Sequence, residues 1–250
     1  MNTSLPIFLA VMILLQNSWC QADATNIHTQ TIKLALTQEP PQLNGMKATD
    51  QVSVMVLGHI MEGLTRYDRR GRLVPGVAER WEVTDKRATF WLRPDARWSN
   101  GDTVTAHDFV FAWQTTLNPA TASEYAFILY AMKNAEAINQ GKLAPEQLGV
   151  QAPDDFTLTI ELERPTAYFS KLTAFVSYFP IQEKFYKSRL DRYAADADDL
   201  IFNGPFKMTD WVHSASMKLK KNPLYWNRDQ IKLNAIEADY ITADTRARLN

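Results

Sequence analysis

Within residues 89–119 the apolar spacing changes from every second position to every fourth, and this change constrains the fold more than any other feature of the chain. Residues 89–92 and the stretch around Trp98 read as strands. Asn100-Gly101 follows, a pair that tolerates positive φ and marks a tight turn. Thr105 with Asp108 three residues on resembles a capping box, with Asp in place of Glu. Phe109 and Trp113 then share one helical face, and Asn118-Pro119 stops the helix. The order strand, turn, capped helix requires a mixed architecture, with the aromatic residues burying the joint.

The rest of the chain agrees with a mixed α and β class. Residues 31–37 alternate as a strand that ends at Glu39-Pro40-Pro41. Val52, Val56, Ile60 and Leu64 recur every four residues and predict a helix over 52–64. Arg69-Arg70-Gly71-Arg72 reads as a hairpin turn. Phe156, Leu158, Ile160 and Leu162 alternate with Thr and Glu, a clear strand, and Met217-Leu219 and Ile236-Ala238-Tyr240 alternate likewise. Helical pieces are expected near 126–140, 168–174 and 183–193, and a loop or short helix over 191–200. No internal repeat or low-complexity linker interrupts the chain.

Residues 5–15 form an apolar run too short to span a bilayer and of the length of a signal-peptide core. Small residues follow, so cleavage after Ala22 or Ala24 is expected and residues 1–24 are assigned to an export signal, although residues 1–22 carry no Lys or Arg. Cys20, the sole cysteine, is preceded by Trp19 and has Asn17 three before it, which does not fit a lipoprotein signal. The mature chain would hold no cysteine, which removes thiolate metal sites and cysteine nucleophiles.

With 250 residues and a formal net charge of −1, the chain can hold one large domain or two small ones and offers no electrostatic attraction for nucleic acid. Glycine-rich phosphate loops, zinc-protease motifs and nucleophile elbows are missing. His28, His59, His107 and His213 stand singly and read as surface or hydrogen-bonded histidines, and Asp154-Asp155 and Asp198-Asp199 lie in turn-like sequence where neighbouring carboxylates diverge. These features argue against an enzyme. Seven Trp, nine Tyr and twelve Phe are available for a core or a binding cleft.

The spelling Leu92-Arg93 followed by Trp98-Ser99-Asn100-Gly101-Asp102-Thr103-Val104-Thr105-Ala106-His107-Asp108-Phe109 resembles a signature of the solute-binding proteins of peptide ABC importers, the oligopeptide- and dipeptide-binding family (family 5). Glu62-Gly63-Leu64, Val74-Pro75-Gly76-Val77-Ala78-Glu79-Arg80-Trp81, Asn118-Pro119-Ala120-Thr121-Ala122-Ser123-Glu124-Tyr125, Asn203-Gly204-Pro205-Phe206 and Asn222-Pro223-Leu224-Tyr225-Trp226 match further family motifs in order. The resemblance covers residues 31–250 and implies a periplasmic-binding-protein-like α/β lobe corresponding to the N-terminal half of such proteins, with the second lobe missing. By the same resemblance residues 25–61 and 183–250 form one subdomain of that lobe and residues 62–182 a second, inserted one.

Family members bind peptides outside the inner membrane and deliver them to a membrane permease, without covalent chemistry or cofactor. The resemblance therefore implies a non-catalytic periplasmic monomer whose partners are peptides and an ABC import permease, with no metal site and no nucleic acid. Tyr125 matches a family tyrosine bordering the ligand, Thr49, Asp50 and Gln51 fall where the first lobe lines the cleft, and Phe175 falls near a pocket wall. Thr49, Asp50 and Gln51 differ from the residues usual in close oligopeptide binders. Trp81, Trp98, Trp113, Trp211 and Trp226 are read as packing residues. Two other functions are weighed: a same-fold binder of a nickel chelate, haem or sugar, and a short interaction module that no longer transports. The segment Thr121-Ala122-Ser123-Glu124-Tyr125 favours peptides. For residues 25–250 alone, low solubility and no tight peptide binding are expected, since a face that meets the second lobe would be exposed.

Overall fold

A computed structural model of the chain describes residues 25–26 and 29–241. The expected export signal, Cys20 and His28 lie outside the described residues. In chain order the elements are β1 (Thr25–Asn26), β2 (Thr31–Leu36), α1 (Gln51–Ile60), β3 (Thr65–Tyr67), β4 (Leu73–Pro75), β5 (Ala78–Val83), β6 (Arg87–Leu92), α2 (Ala106–Leu117), α3 (Ala135–Asn139), β7 (Val150–Asp154), β8 (Thr157–Glu161), α4 (Phe169–Leu172), α5 (Glu183–Arg189), β9 (Phe206–Val212), β10 (Ser216–Lys221) and β11 (Ala235–Tyr240).

These strands build a five-stranded sheet in the order β1-β2-β11-β10-β9, a four-stranded sheet in the order β5-β6-β8-β7, and the hairpin β3-β4. In the larger sheet β2 and β11 run parallel, Leu34 opposite Ala238, whereas the other pairings are antiparallel. A parallel pair needs a long crossover, and here the crossover carries the whole four-stranded sheet and its helices. The smaller sheet is antiparallel throughout.

Side-chain alternation sets the registers. In β6 and β8, Phe90 faces Leu158 and Ala88 faces Ile160, all fully buried, while Thr157, Thr159 and Glu161 point away. In β10 and β11, Met217 faces Ala238 and Leu219 faces Ile236 on the buried side. A one-residue slip would turn each apolar row outward.

The predicted helix over 52–64 is shorter: α1 ends at Ile60 and Met61 is already extended (φ −126°, ψ 158°). The side chain of Asn203 accepts the Glu62 N–H (3.0 Å) and donates to the Glu62 carbonyl (2.9 Å), a strand-like pairing that a helical residue could not offer. A Cβ on Gly63 would lie against the Thr173 carbonyl and 2.9 Å from the Phe179 ring, so the backbone passes where only glycine fits.

The stretch around Trp98 is a tight turn rather than a strand. Trp98 N–H donates to Asp102 O, Gly101 N–H (φ +95°) donates back to Trp98 O, and Ser99 N–H is taken by Phe202 O, so a single bridge, Arg97 to Thr103, is left for pairing. The expected helix near 126–140 breaks into a 3-10 turn at Ala126–Ala131 and the short α3, with Asn134 at φ +67° between them. The piece near 168–174 contracts to α4, and the piece near 183–193 forms α5 followed by a 3-10 turn at Leu190–Arg192.

The capping box forms around Asp108, whose Oδ2 accepts the Thr105 N–H (2.8 Å) and the Thr105 hydroxyl (3.4 Å), while the Asp108 N–H also reaches the Thr105 carbonyl (3.2 Å). Trp98 Nε1–H supplies another bond to the Asp108 carboxylate (3.1 Å). Burial pushes the Asp108 carboxyl up to about 6, although the Thr105 and Trp98 bonds oppose the shift. The folded-state value lies above the ordinary Asp value, so its contribution is fully present at low pH and is lost as pH rises through about 6. Asp108→Asn should therefore gain on the parent by about 2 kcal/mol between pH 4 and pH 7 in denaturant unfolding; a difference that does not vary with pH would refute this.

Candidate functional site

The N-terminus of α1 and the segment 121–127 meet at one edge of the molecule. Asp50 caps α1, its Oδ1 accepting the Ser53 N–H at 2.9 Å, which satisfies one of the unpaired donors of the first turn. Ahead of it, Asn44 Oδ1 accepts the Met46 N–H and the Asn44 carbonyl takes the Lys47 and Ala48 N–H groups, so the lead-in to the helix is a tight turn. Segment 121–127 is stitched onto that lead-in. Ser123 Oγ donates to the Met46 carbonyl (2.5 Å) and Tyr125 Oη donates to the Thr49 carbonyl (3.2 Å).

Three rings gather there. Phe175 lies 6.1 Å from Tyr125 at 39°, and Phe127 packs edge-on against Tyr125 at 5.9 Å and 80°. Of the five residues expected from the sequence, Thr49, Tyr125 and Phe175 thus touch one another through Tyr125. Asp50 and Gln51 follow Thr49 at the start of the helix, half-buried and exposed respectively, with the Asp50 carboxylate engaged as the helix cap. Phe127, which sequence reasoning did not single out, completes the cluster.

Just past the C-terminal end of α1, three of the sequence motifs converge on one buried carboxylate. Glu62 is 4% exposed. Its Oε1 accepts from Tyr225 Oη (2.5 Å), its Oε2 from Trp226 Nε1–H (2.6 Å), and Arg66 lies 3.4 Å from Oε1. The Arg93 guanidinium stacks 3.3 Å over the Trp226 ring and donates through Nε to the Gly76 carbonyl. Asn203 holds the Glu62 backbone and Asn222 Nδ2 donates to the Gly204 carbonyl, while Gly204 packs so close to α1 that a Cβ would lie 2.6 Å from Ile60 C. Burial pushes the Glu62 carboxyl above its ordinary range; the Trp226 and Tyr225 bonds and the charges of Arg66 and Arg93 counter it. The motifs Glu62-Gly63-Leu64, Asn203-Gly204-Pro205 and Asn222-Pro223-Leu224-Tyr225-Trp226 are therefore parts of one joint. The sequence displayed them, but their convergence depends on contacts across more than 100 residues.

The five packing tryptophans divide by burial. Trp98, Trp113 and Trp211 are buried, and Trp81 and Trp226 half-buried against Phe90 and Arg93. His213 Nδ1 lies 2.5 Å from Glu39 Oε1, and Ser214 N–H donates to Glu39 Oε2 (2.7 Å), so this histidine is hydrogen-bonded. Among the described residues, no three His, Cys, Asp or Glu side chains are placed to hold a metal ion.

A mixed α/β body of two sheets, with its parallel pair closed by a long crossover, matches solved periplasmic-binding-protein-like structures. It superposes on the substrate-binding domain of an oligopeptide ABC transporter from Bacillus anthracis with a TM-score of 0.85 and 45% identity, over 88% of this chain and 43% of that one. It superposes on Listeria monocytogenes OppA bound to peptide with a TM-score of 0.84 and 38% identity, over 88% and 44% of the two chains. The oligopeptide-binding protein OppA of Bacillus subtilis is 43% identical over 209 residues, which is 83% of this chain and 38% of that protein. Residues 72–250 match the bacterial extracellular solute-binding proteins, family 5 middle, and the chain belongs to that family. It spans about four-tenths of the length of the relatives it matches.

Proposed function

We propose that this chain supplies one lobe of a receptor that captures peptides outside the cytoplasmic membrane and hands them to the permease of an ABC importer, without covalent chemistry. The observation that carries this reading is the Tyr125 cluster: an aromatic edge whose hydroxyl is tied to the lead-in of a helix, Tyr125 Oη to Thr49 O. The family and the names of relatives support it, among them oligopeptide- and dipeptide-binding proteins of Bacillus subtilis. Thr49, Asp50, Gln51, Tyr125 and Phe175 line the peptide in this reading. An extended peptide would pair its backbone with the receptor, leaving its side chains to the pocket walls. The receptor is a monomer, exported by a cleaved signal and not lipid-anchored.

We assign residues 25–61 and 183–250 to one subdomain and residues 62–182 to the other. This division is supported by strand origin, since β1, β2, β9, β10 and β11 make one sheet and β5 to β8 the other. Calorimetric titration of short peptides into the protein purified from its own host tests the functional reading. Tyr125→Ala should weaken binding about tenfold or more, the scale of a buried aromatic contact. Equal affinity in parent and variant would remove Tyr125 from the site, and heatless titrations with peptides of every length would remove the function.

A further inference from the structure

We infer that Phe127 sets the side-chain preference of this site, favouring peptides that lay an aromatic or large aliphatic side chain against it. The inference rests on the peptide-capture reading above. Phe127 is 59% exposed, although it lies in an apolar run, Ala126–Ala131, of which Ala126, Leu129 and Ala131 are buried and Ile128 and Tyr130 half-buried. The 3-10 turn therefore directs this ring outward while its neighbours face the core. Among the described residues, nothing covers the outer face of this ring.

The ring is also held in place. It meets Tyr125 edge-on, and Tyr125 is fixed in turn by the Thr49 carbonyl and by Phe175. Tyr67, Tyr168, Leu190, Val212 and Leu224 are exposed too, but none is part of this ring cluster. An oriented, wet aromatic face gains most from an apolar or aromatic partner, whose edge or face it can meet. Continuity with Tyr125 and Thr49 makes that partner a side chain of the bound peptide.

The test uses the protein purified from its own host without removing bound ligand, beside Phe127→Ser. Peptides are released with acid and sequenced by mass spectrometry. In the parent, Phe, Tyr, Trp, Leu, Ile or Met should be enriched at one peptide position by between about twofold and tenfold over the host peptide pool. In Phe127→Ser, fewer peptides should be recovered and that enrichment should be lost, while the thermal unfolding temperature should fall only slightly because the ring is outside the core. Peptides without a preferred side chain in the parent, or the same preference in both proteins, would overturn the inference and leave the peptide-capture reading standing. Loss of all peptides from the variant alone would make Phe127 a general contact and equally overturn it. No peptide in either protein would sink both.

Discussion

Glu62→Ala should destabilise the protein by about 3–5 kcal/mol, the range for removing one partner from a buried charged network. Alanine leaves Tyr225 Oη and Trp226 Nε1–H, both inside the joint, without an acceptor. It also leaves Arg66 without its carboxylate, while Arg93 on the Trp226 ring keeps only the longer pairing with Asp95 (3.8 Å). Because Asn203 grips the backbone of residue 62 and not its side chain, the chain path should survive while the joint loosens. Tyr225→Phe is the graded comparison: it deletes one donor and should lose about 1–2 kcal/mol. Denaturant unfolding of the two variants measures both. Equal losses would mean that the carboxylate does not organise the joint.

Trp113→Ala should cost a similar amount, about 3–5 kcal/mol, by a different mechanism. Trp113 is fully buried between Phe109 (6.0 Å) and Tyr178 (5.5 Å), both edge-on, and its Nε1–H donates to the Tyr178 carbonyl at 3.1 Å. Alanine would open a ring-sized cavity and orphan that carbonyl together. Tyr178 donates its hydroxyl to the Ile128 carbonyl, directly after Phe127, and follows Phe175 by three residues. The cavity thus lies behind the aromatic edge. Trp113→Phe keeps most of the volume and should lose less than half as much. Thermal unfolding of the two variants decides between cavity and hydrogen bond: equal losses would point to the Tyr178 carbonyl.

Local pattern was enough for much of the fold. β8, β10 and β11 follow from alternation alone, and the turn at Gly101 follows from Asn100-Gly101, since both signals depend on residues that are neighbours in the chain. Leu64 misled the helix prediction because it keeps the four-residue spacing and is fully buried, yet α1 is ended by Asn203, 141 residues from Glu62. The parallel pairing of β2 with β11 is equally invisible to any window of sequence. Within the candidate site, Thr49, Tyr125 and Phe175 follow from family resemblance. Phe127 does not, because an apolar residue inside Ala126–Ala131 reads as core until the turn shows which way it faces. Glu62 belongs to one of the motifs, but an isolated acid gives no sign that it will be buried.

Native mass spectrometry of the protein recovered from its own host tests the central claim most directly. Peptide capture predicts protein ions carrying a spread of added masses that gentle activation releases as short peptides. Protein ions of bare polypeptide mass, unchanged when peptides are added, would contradict it.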